Sequence, residues 1–181
     1  MARRRYRRYR RRRSGRWAPN IVKISSTNVA TSGEFSNIED LALNPIQTNT
    51  GVAQTFTVKN FEITFTLEGE EYNSQAYLES ITAYIMYVPQ GMTVTSSYYA
   101  EHPEYIMAYK YLGQPSAQRL NSLNHQDIED QQYQPIRIRT RLSRKLQTGD
   151  KVILYIQGSN QHNQNVTYNL NGLVRWWSKA N

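Results

Sequence analysis

Thr55–Leu67 reads TFTVKNFEITFTL. Side chains alternate between the two faces of a β-strand, so a strand with one buried face keeps its apolar residues on one parity. Here Phe56 and Val58 hold one parity and Phe61, Ile63, Phe65 and Leu67 the other. A single extra residue resets the parity, so Lys59-Asn60 is expected to be a β-bulge inside one long strand.

The neighbouring segments extend the pattern. Gly69, flanked by Glu68, Glu70 and Glu71, marks a turn, and Ala76–Val88 (AYLESITAYIMYV) follows as a strand that becomes apolar on both faces before Pro89-Gln90-Gly91 ends it. Tyr105–Leu112 fits another strand, after a polar loop containing His102-Pro103. Gly113–Gln134 is polar and too long for an ordinary connection; it reads as an outward-facing loop or one with a short helix near Ser122–Asp130. In Ile136–Leu142, parity sends Ile136, Ile138 and Leu142 one way and Arg137, Arg139 and Arg141 the other, with Arg144 and Lys145 extending the charge. Gln147-Thr148-Gly149-Asp150 is a turn signal leading into Val152–Ile156, an unbroken apolar run suited to a central strand. After a polar hairpin loop at Gly158–Asn165, Val166, Tyr168, Leu170, Val174 and Trp176 alternate, with Gly172 expected as a kink and Trp177 on the opposite face.

Toward the N-terminus, Ser36-Asn37-Ile38-Glu39 has capping-box spacing and predicts one short helix stopped at Asn44-Pro45, while Ile21–Val29 is short and β-prone. Gly15 and Pro19 bracket Trp17, whose indole is expected to anchor the start of an ordered body. Seven or eight strands, long connections and almost no helix predict an all-β fold: a single jelly roll, a Greek-key β-sandwich, over residues 17–181.

Residues 1–16, MARRRYRRYRRRRSGR, are of another kind. They hold ten of the 22 basic residues of the chain and none of its 14 acids, so the net charge of +8 belongs to them and the body carries twelve bases against fourteen acids. With no apolar surface to offset ordering entropy, such a segment is expected to be a disordered arm that needs a polyanion. All ten cations are arginine: Arg3, Arg4, Arg5, Arg7, Arg8, Arg10, Arg11, Arg12, Arg13 and Arg16. A guanidinium grips a phosphate through two hydrogen bonds and also lies flat on a base, which an ammonium does not. Tyr6 and Tyr9 are interleaved and offer rings for an unstacked base, so single-stranded nucleic acid is the first candidate ligand. The run lacks the apolar helix face of a mitochondrial presequence and the apolar core of a secretory signal. Arg3, Arg4, Arg5, Arg7, Arg8 and Arg10–Arg13 also fit a nuclear localisation signal, which would bring in a nuclear import receptor as partner.

Other chemistry is not indicated. The chain has no cysteine, its three histidines (His102, His125, His162) lie apart in polar loops, and no phosphate-cradling glycine loop, dinucleotide fingerprint or nucleophile elbow is present. Glu39-Asp40, Glu70-Glu71 and Glu129-Asp130 read as solvated charge. No enzyme activity, cofactor, metal or membrane insertion is therefore expected. Tyr98, Tyr99, Tyr105, Tyr109 and Tyr111 admit two readings, sandwich core or protein interface.

An arginine arm, an all-β body, and Pro135–Leu146 (PIRIRTRLSRKL) leading into Gly149–Leu154 (GDKVIL) together resemble the capsid proteins of small circular single-stranded DNA viruses, the circovirus-like group. The resemblance covers the layout of the whole chain, with RRRYRRYRRRR its clearest feature. It implies a jelly-roll subunit, a closed icosahedral shell of about sixty copies of itself, an arm bound inside to the genome, and entry into the host nucleus directed by that arm. Sixty arms would bring about 600 positive charges against one negative charge per packaged nucleotide, compatible with a genome of roughly one to two thousand nucleotides. The residues alone leave DNA and RNA both open. On this reading the nucleic-acid contacts are the arm arginines with Tyr6 and Tyr9, joined by Arg137, Arg139, Arg141, Arg144 and Lys145. The counter-charge to the Arg137 row is expected in the genome, or in Glu68, Glu70, Glu71, Glu129 or Asp130 of a neighbouring subunit. The rival from another class is a non-viral nucleic-acid-binding β-barrel module with a basic tail, which should carry charge and exposed aromatics on its body as well.

Overall fold

The computed structural model describes residues 16–44, 55–69, 78–113, 135–161 and 163–180. Among these residues nine strands form two antiparallel sheets. The first sheet holds β1 (Ala18–Ala30), β9 (Val166–Ala180) and β3 (Phe56–Gly69), with β6 (Ile136–Arg139) and β7 (Ser143–Leu146) sharing the far side of β3. The second runs β2 (Gly33–Leu43), β8 (Lys151–Asn160), β4 (Leu78–Val88), β5 (Ile106–Gly113). Since β6 and β7 occupy consecutive stretches along one neighbour, they act as a single interrupted strand. The remaining order is the two-sheet, doubly Greek-key order of a jelly roll, as the alternation in the sequence leads one to expect.

The parity switch in β3 is a bulge. Its register against β9 shifts between Lys59 and Glu62, and Asn60 takes a left-handed φ of 54°. Val58, Phe61, Ile63, Phe65 and Leu67 are thereby all turned into the sandwich, where Phe61 stacks on Trp176 at 5.9 Å between ring centres. At Gly172 the two main chains close up: a β-carbon there would lie 2.5 Å from the Thr64 carbonyl oxygen and 2.6 Å from Phe65 Cβ. This glycine serves close approach of β9 to β3, within a strand that runs unbroken through it.

Along parts of β4 and β8 the second sheet is covered on both faces, which explains their apolar runs. Its inner face contributes Ile81, Ala83, Ile85, Val152, Leu154 and Ile156 to the main core. On its outer face Met86, Val88, Ile153 and Tyr155 pack beneath the segment after β4, which contains a short helix α1 (Tyr98–Glu101) and a 3-10 turn at Pro103–Tyr105. Tyr98 is fully buried there. The turn before β8 is pinned by buried Asp150, whose carboxylate accepts from the Tyr87 hydroxyl (2.7 Å), the Gln90 amide (2.9 Å) and the Gln147 amide (2.7 Å). Gly149, at φ 87°, makes that turn possible.

Three expectations are corrected. Ser36–Glu39 is not a helix but the middle of β2: Asn37 donates to the Tyr168 hydroxyl, and Glu39 accepts from Ser26 on β1. Tertiary partners override the local capping pattern. Ile136–Leu142 is not one strand, because Thr140 turns inward, donates to the Met107 carbonyl (2.9 Å) and accepts from the Leu142 amide (3.1 Å). That break raises the strand number above the expected seven or eight and leaves Leu142 exposed rather than packed with Ile136 and Ile138. Finally, β1 is a full thirteen-residue strand rather than a short one. The helix considered near Ser122–Asp130, and nearly all of the arm, lie outside the described residues.

Candidate nucleic-acid interface

The register of the first sheet lays out its outer face row by row. Inward residues of β9 are Val174 and Trp176, so Leu173, Arg175, Trp177 and Lys179 point outward, as do their partners in neighbouring strands. One row holds Lys179, Thr57 and Lys145. The next holds Pro19, Trp177, Lys59 and Ser143, the third Ile21, Arg175, Glu62 and Arg139, and the fourth Lys23, Leu173, Thr64 and Arg137. With strands about 4.8 Å apart and rows about 7 Å apart, this half-face measures roughly 15 by 20 Å. Seven of the twelve body cations stand on it, and Glu62 is the one acid among its described side chains. Beyond the fourth row the cations give out: Ser25 hydrogen-bonds Asn171, Thr27 hydrogen-bonds Asn169, and the register sets Glu68 in the row of Thr27 and Asn169.

Glu62 is the hub of the cationic half. Its Oε1 accepts from Arg137 and from Arg139 (2.9 Å), and its Oε2 from Arg175 (2.7 Å). The carboxylate is only 17 % exposed while each guanidinium is more than half exposed, so one partly sheltered anion fans three cations outward with a local excess of two positive charges. Each arginine has five N–H donors and reaches Glu62 through one terminal nitrogen. The acid opposite Arg137 and Arg139 thus belongs to the same chain, one strand away, and sequence reasoning had not singled it out. Arg175, Lys23, Lys59 and Lys179 were also missed, since they come from three different strands and only register brings them together.

Of the body residues expected to bind nucleic acid, Arg137, Arg139 and Lys145 share this face, and Arg141 is exposed in the link between β6 and β7. Arg144 does not join them. It pairs with inward-facing Val58, donates to the Glu104 carbonyl (2.7 Å) and lies 5.7 Å from the Tyr87 ring centre. Arg16 is exposed, and the Trp17 ring sits 3.9 Å from Lys59 Nζ, a cation–π contact that brings residue 17 to this sheet. Trp17 therefore contacts the folded body as expected, and Trp177, opposite Lys59 in register, is turned outward. Arg3–Arg13, Tyr6 and Tyr9 lie outside the described residues.

The opposite side of the sandwich differs. The outer face of the second sheet carries a tyrosine group in which Tyr84 lies 5.2 Å from Tyr99, 6.0 Å from Tyr155 and 6.1 Å from Tyr109. Tyr98 is core, as one of the two readings has it, whereas Tyr109 and Tyr111 are strongly exposed. Lys151 on this side is paired with Asp40 at 2.9 Å. Burial without a counter-charge pushes the Tyr155 and Tyr98 hydroxyls up to about 12.

No protein-family model and no curated protein matches the chain. Among solved structures it is similar to a decameric BFDV capsid protein (8 % identity, 91 % of this chain and 99 % of that one, TM-score 0.38) and to the 60-mer BFDV capsid protein (9 %, 92 % and 94 %, TM-score 0.42). It is also similar to infectious bursal disease virus, Gx strain (4 %, 88 % of this chain and 32 % of that one, TM-score 0.33). Likenesses this distant carry nothing about function, which rests on the residues of this chain.

Proposed function

We propose that the chain is a coat subunit that assembles with copies of itself into a closed shell of about sixty subunits and packages single-stranded nucleic acid. On this reading residues 1–16 are the packaging arm and residues 17–181 the shell domain, and the protein resides in the virion and, during assembly, in the host nucleus. The observation that supports it is the polarity of the jelly roll. The root of the arginine arm, with its Trp17–Lys59 contact, enters the sheet whose outer face is cationic, while the opposite face is tyrosine-rich with its lysine paired. A subunit with a genome side and a non-genome side has this distribution of charge.

Deleting residues 1–16 tests the role of the arm. Shells should still form but lose most of their co-purifying nucleic acid, read from the ultraviolet absorbance ratio; truncated shells with a full nucleic-acid content would refute the assignment. For nuclear import, residues 1–16 should concentrate a large fluorescent reporter in the nucleus, and Arg10–Arg13 changed to Ala should disperse it.

One observation favours a second reading, the non-viral nucleic-acid-binding module. Such a module should carry charge and aromatics on its body, and the outer face of the first sheet does. The two readings part on assembly: the module stays small in solution.

A further inference from the structure

We infer that the outer face of the first sheet holds a seat for single-stranded nucleic acid in which bases stack on an apolar platform of Ile21, Leu173 and Trp177 and phosphates are met by Lys23, Lys179 and Arg175. This deepens the packaging reading and rests on it: it names a site on the folded body, separate from the arm.

The platform is contiguous. Ile21 on β1 lies directly opposite Arg175 and diagonally between Leu173 and Trp177 on β9, with Pro19 opposite Trp177. Ile21 is 67 % exposed, Leu173 57 % and Trp177 36 %, whereas the adjoining Trp176 is buried. Three large apolar side chains left open on one flat surface call for an occupant. The surrounding charge selects it. Every described ionic neighbour of the platform except Glu62 is positive, and Glu62 is already engaged by three guanidinium groups. An acidic protein surface would satisfy the cations and leave the indole without a planar partner. A duplex would offer phosphates but keep its bases stacked inside. Single-stranded nucleic acid supplies both the negative backbone and the exposed π-faces. The geometry fits its repeat: Arg175 and Trp177 are two residues apart on one strand, so a guanidinium and an indole stand about 7 Å apart on the same surface. Lys23 and Lys179 close the platform at its two ends.

The test uses the full chain and a thymidine homo-oligonucleotide of about 16 nucleotides, read by fluorescence anisotropy over a series of salt concentrations. Trp177→Ala should weaken binding about tenfold and leave the salt slope unchanged, while Trp177→Phe keeps most of the affinity. Lys23→Gln with Lys179→Gln should lower the slope of log K against log salt by about 1.4, two single-strand phosphates' worth. Ultraviolet crosslinking of the unmutated chain to the same oligonucleotide needs no variant, and it should label the peptide containing Trp177 as well as arm peptides. Crosslinks confined to residues 1–16, with both variants binding like the parent chain, would overturn this site and leave the arm assignment standing. Variants that change assembly but not oligonucleotide binding would likewise overturn it, making the face a contact between subunits. An unmutated chain that binds no oligonucleotide would overturn both this site and the packaging reading.

Discussion

Replacing Glu62 with Gln should make the fold less stable and the grip on nucleic acid tighter. The carboxylate accepts three charge-assisted hydrogen bonds, from Arg137, Arg139 and Arg175. The guanidinium groups are more than half exposed, so solvent screens them and each pair contributes at the level of a surface ion pair. Three such pairs, plus the mutual repulsion released when their shared anion is removed, amount to about 1–2 kcal/mol. For a domain of this size that lowers the melting temperature by about 3–6 °C. The loss should shrink as salt is added, because both the lost attraction and the new repulsion are screened. Binding moves the other way. A phosphate about 7 Å from Glu62 is repelled by about 0.6 kcal/mol even in water, so removing the charge should tighten binding about threefold for one such phosphate. The assays are calorimetric melting at low and high salt, and anisotropy with a single-stranded oligonucleotide. An unchanged melting temperature together with equal or weaker binding would refute the claim that Glu62 both tethers the arginines and tempers their charge.

Further substitutions test the frame that holds this face. Gly172→Ala drives a β-carbon into the Thr64 carbonyl and Phe65, and because main chain cannot swing aside it should cost about 3 kcal/mol, read from the urea midpoint. Asp150→Ala strands the Tyr87 hydroxyl and two amides and should cost about 3 kcal/mol, whereas Tyr87→Phe, losing one bond, should cost about 1 kcal/mol. Alkali should unfold the protein between about pH 10 and 12. Buried Tyr98 and Tyr155 ionise near 12 in the fold and at their ordinary value once unfolded, so the stability they lend is complete below that ordinary value and is lost as pH rises through the folded one. Phenolate absorbance and circular dichroism followed together should show a cooperative step in this window; gradual tyrosine titration with no loss of structure would contradict it.

The parity of apolar residues was a faithful guide wherever one face of a strand meets the core. Thr55–Leu67 yielded even its bulge, because Phe61, Ile63 and Phe65 must all reach the interior. It failed where inward positions are polar. Asn37 and Glu39 point toward Tyr168 and Ser26, so β2 lost its alternation and the capping pattern of Ser36 prevailed in the reading. Thr140 hid the break between β6 and β7 in the same way, by taking an inward slot with a side chain that hydrogen-bonds the main chain. The cationic face was legible only in part. Arg137 and Arg139 announce themselves on one strand, but Lys23, Lys59, Arg175 and Lys179 are scattered over 157 positions and meet only through the pairing of β1, β9 and β3. The slightly acidic balance of the body concealed them, because a net charge says nothing of its segregation between two faces.

The central claim is that this jelly roll builds a shell around nucleic acid, and the most direct measurement is the state of assembly of the purified full chain. Negative-stain electron microscopy with sedimentation should show uniform closed particles, with nucleic acid inside them protected from nuclease. Monomers or dimers that bind single-stranded oligonucleotides yet form no particles under any ionic condition would contradict the account and leave the nucleic-acid-binding module in its place.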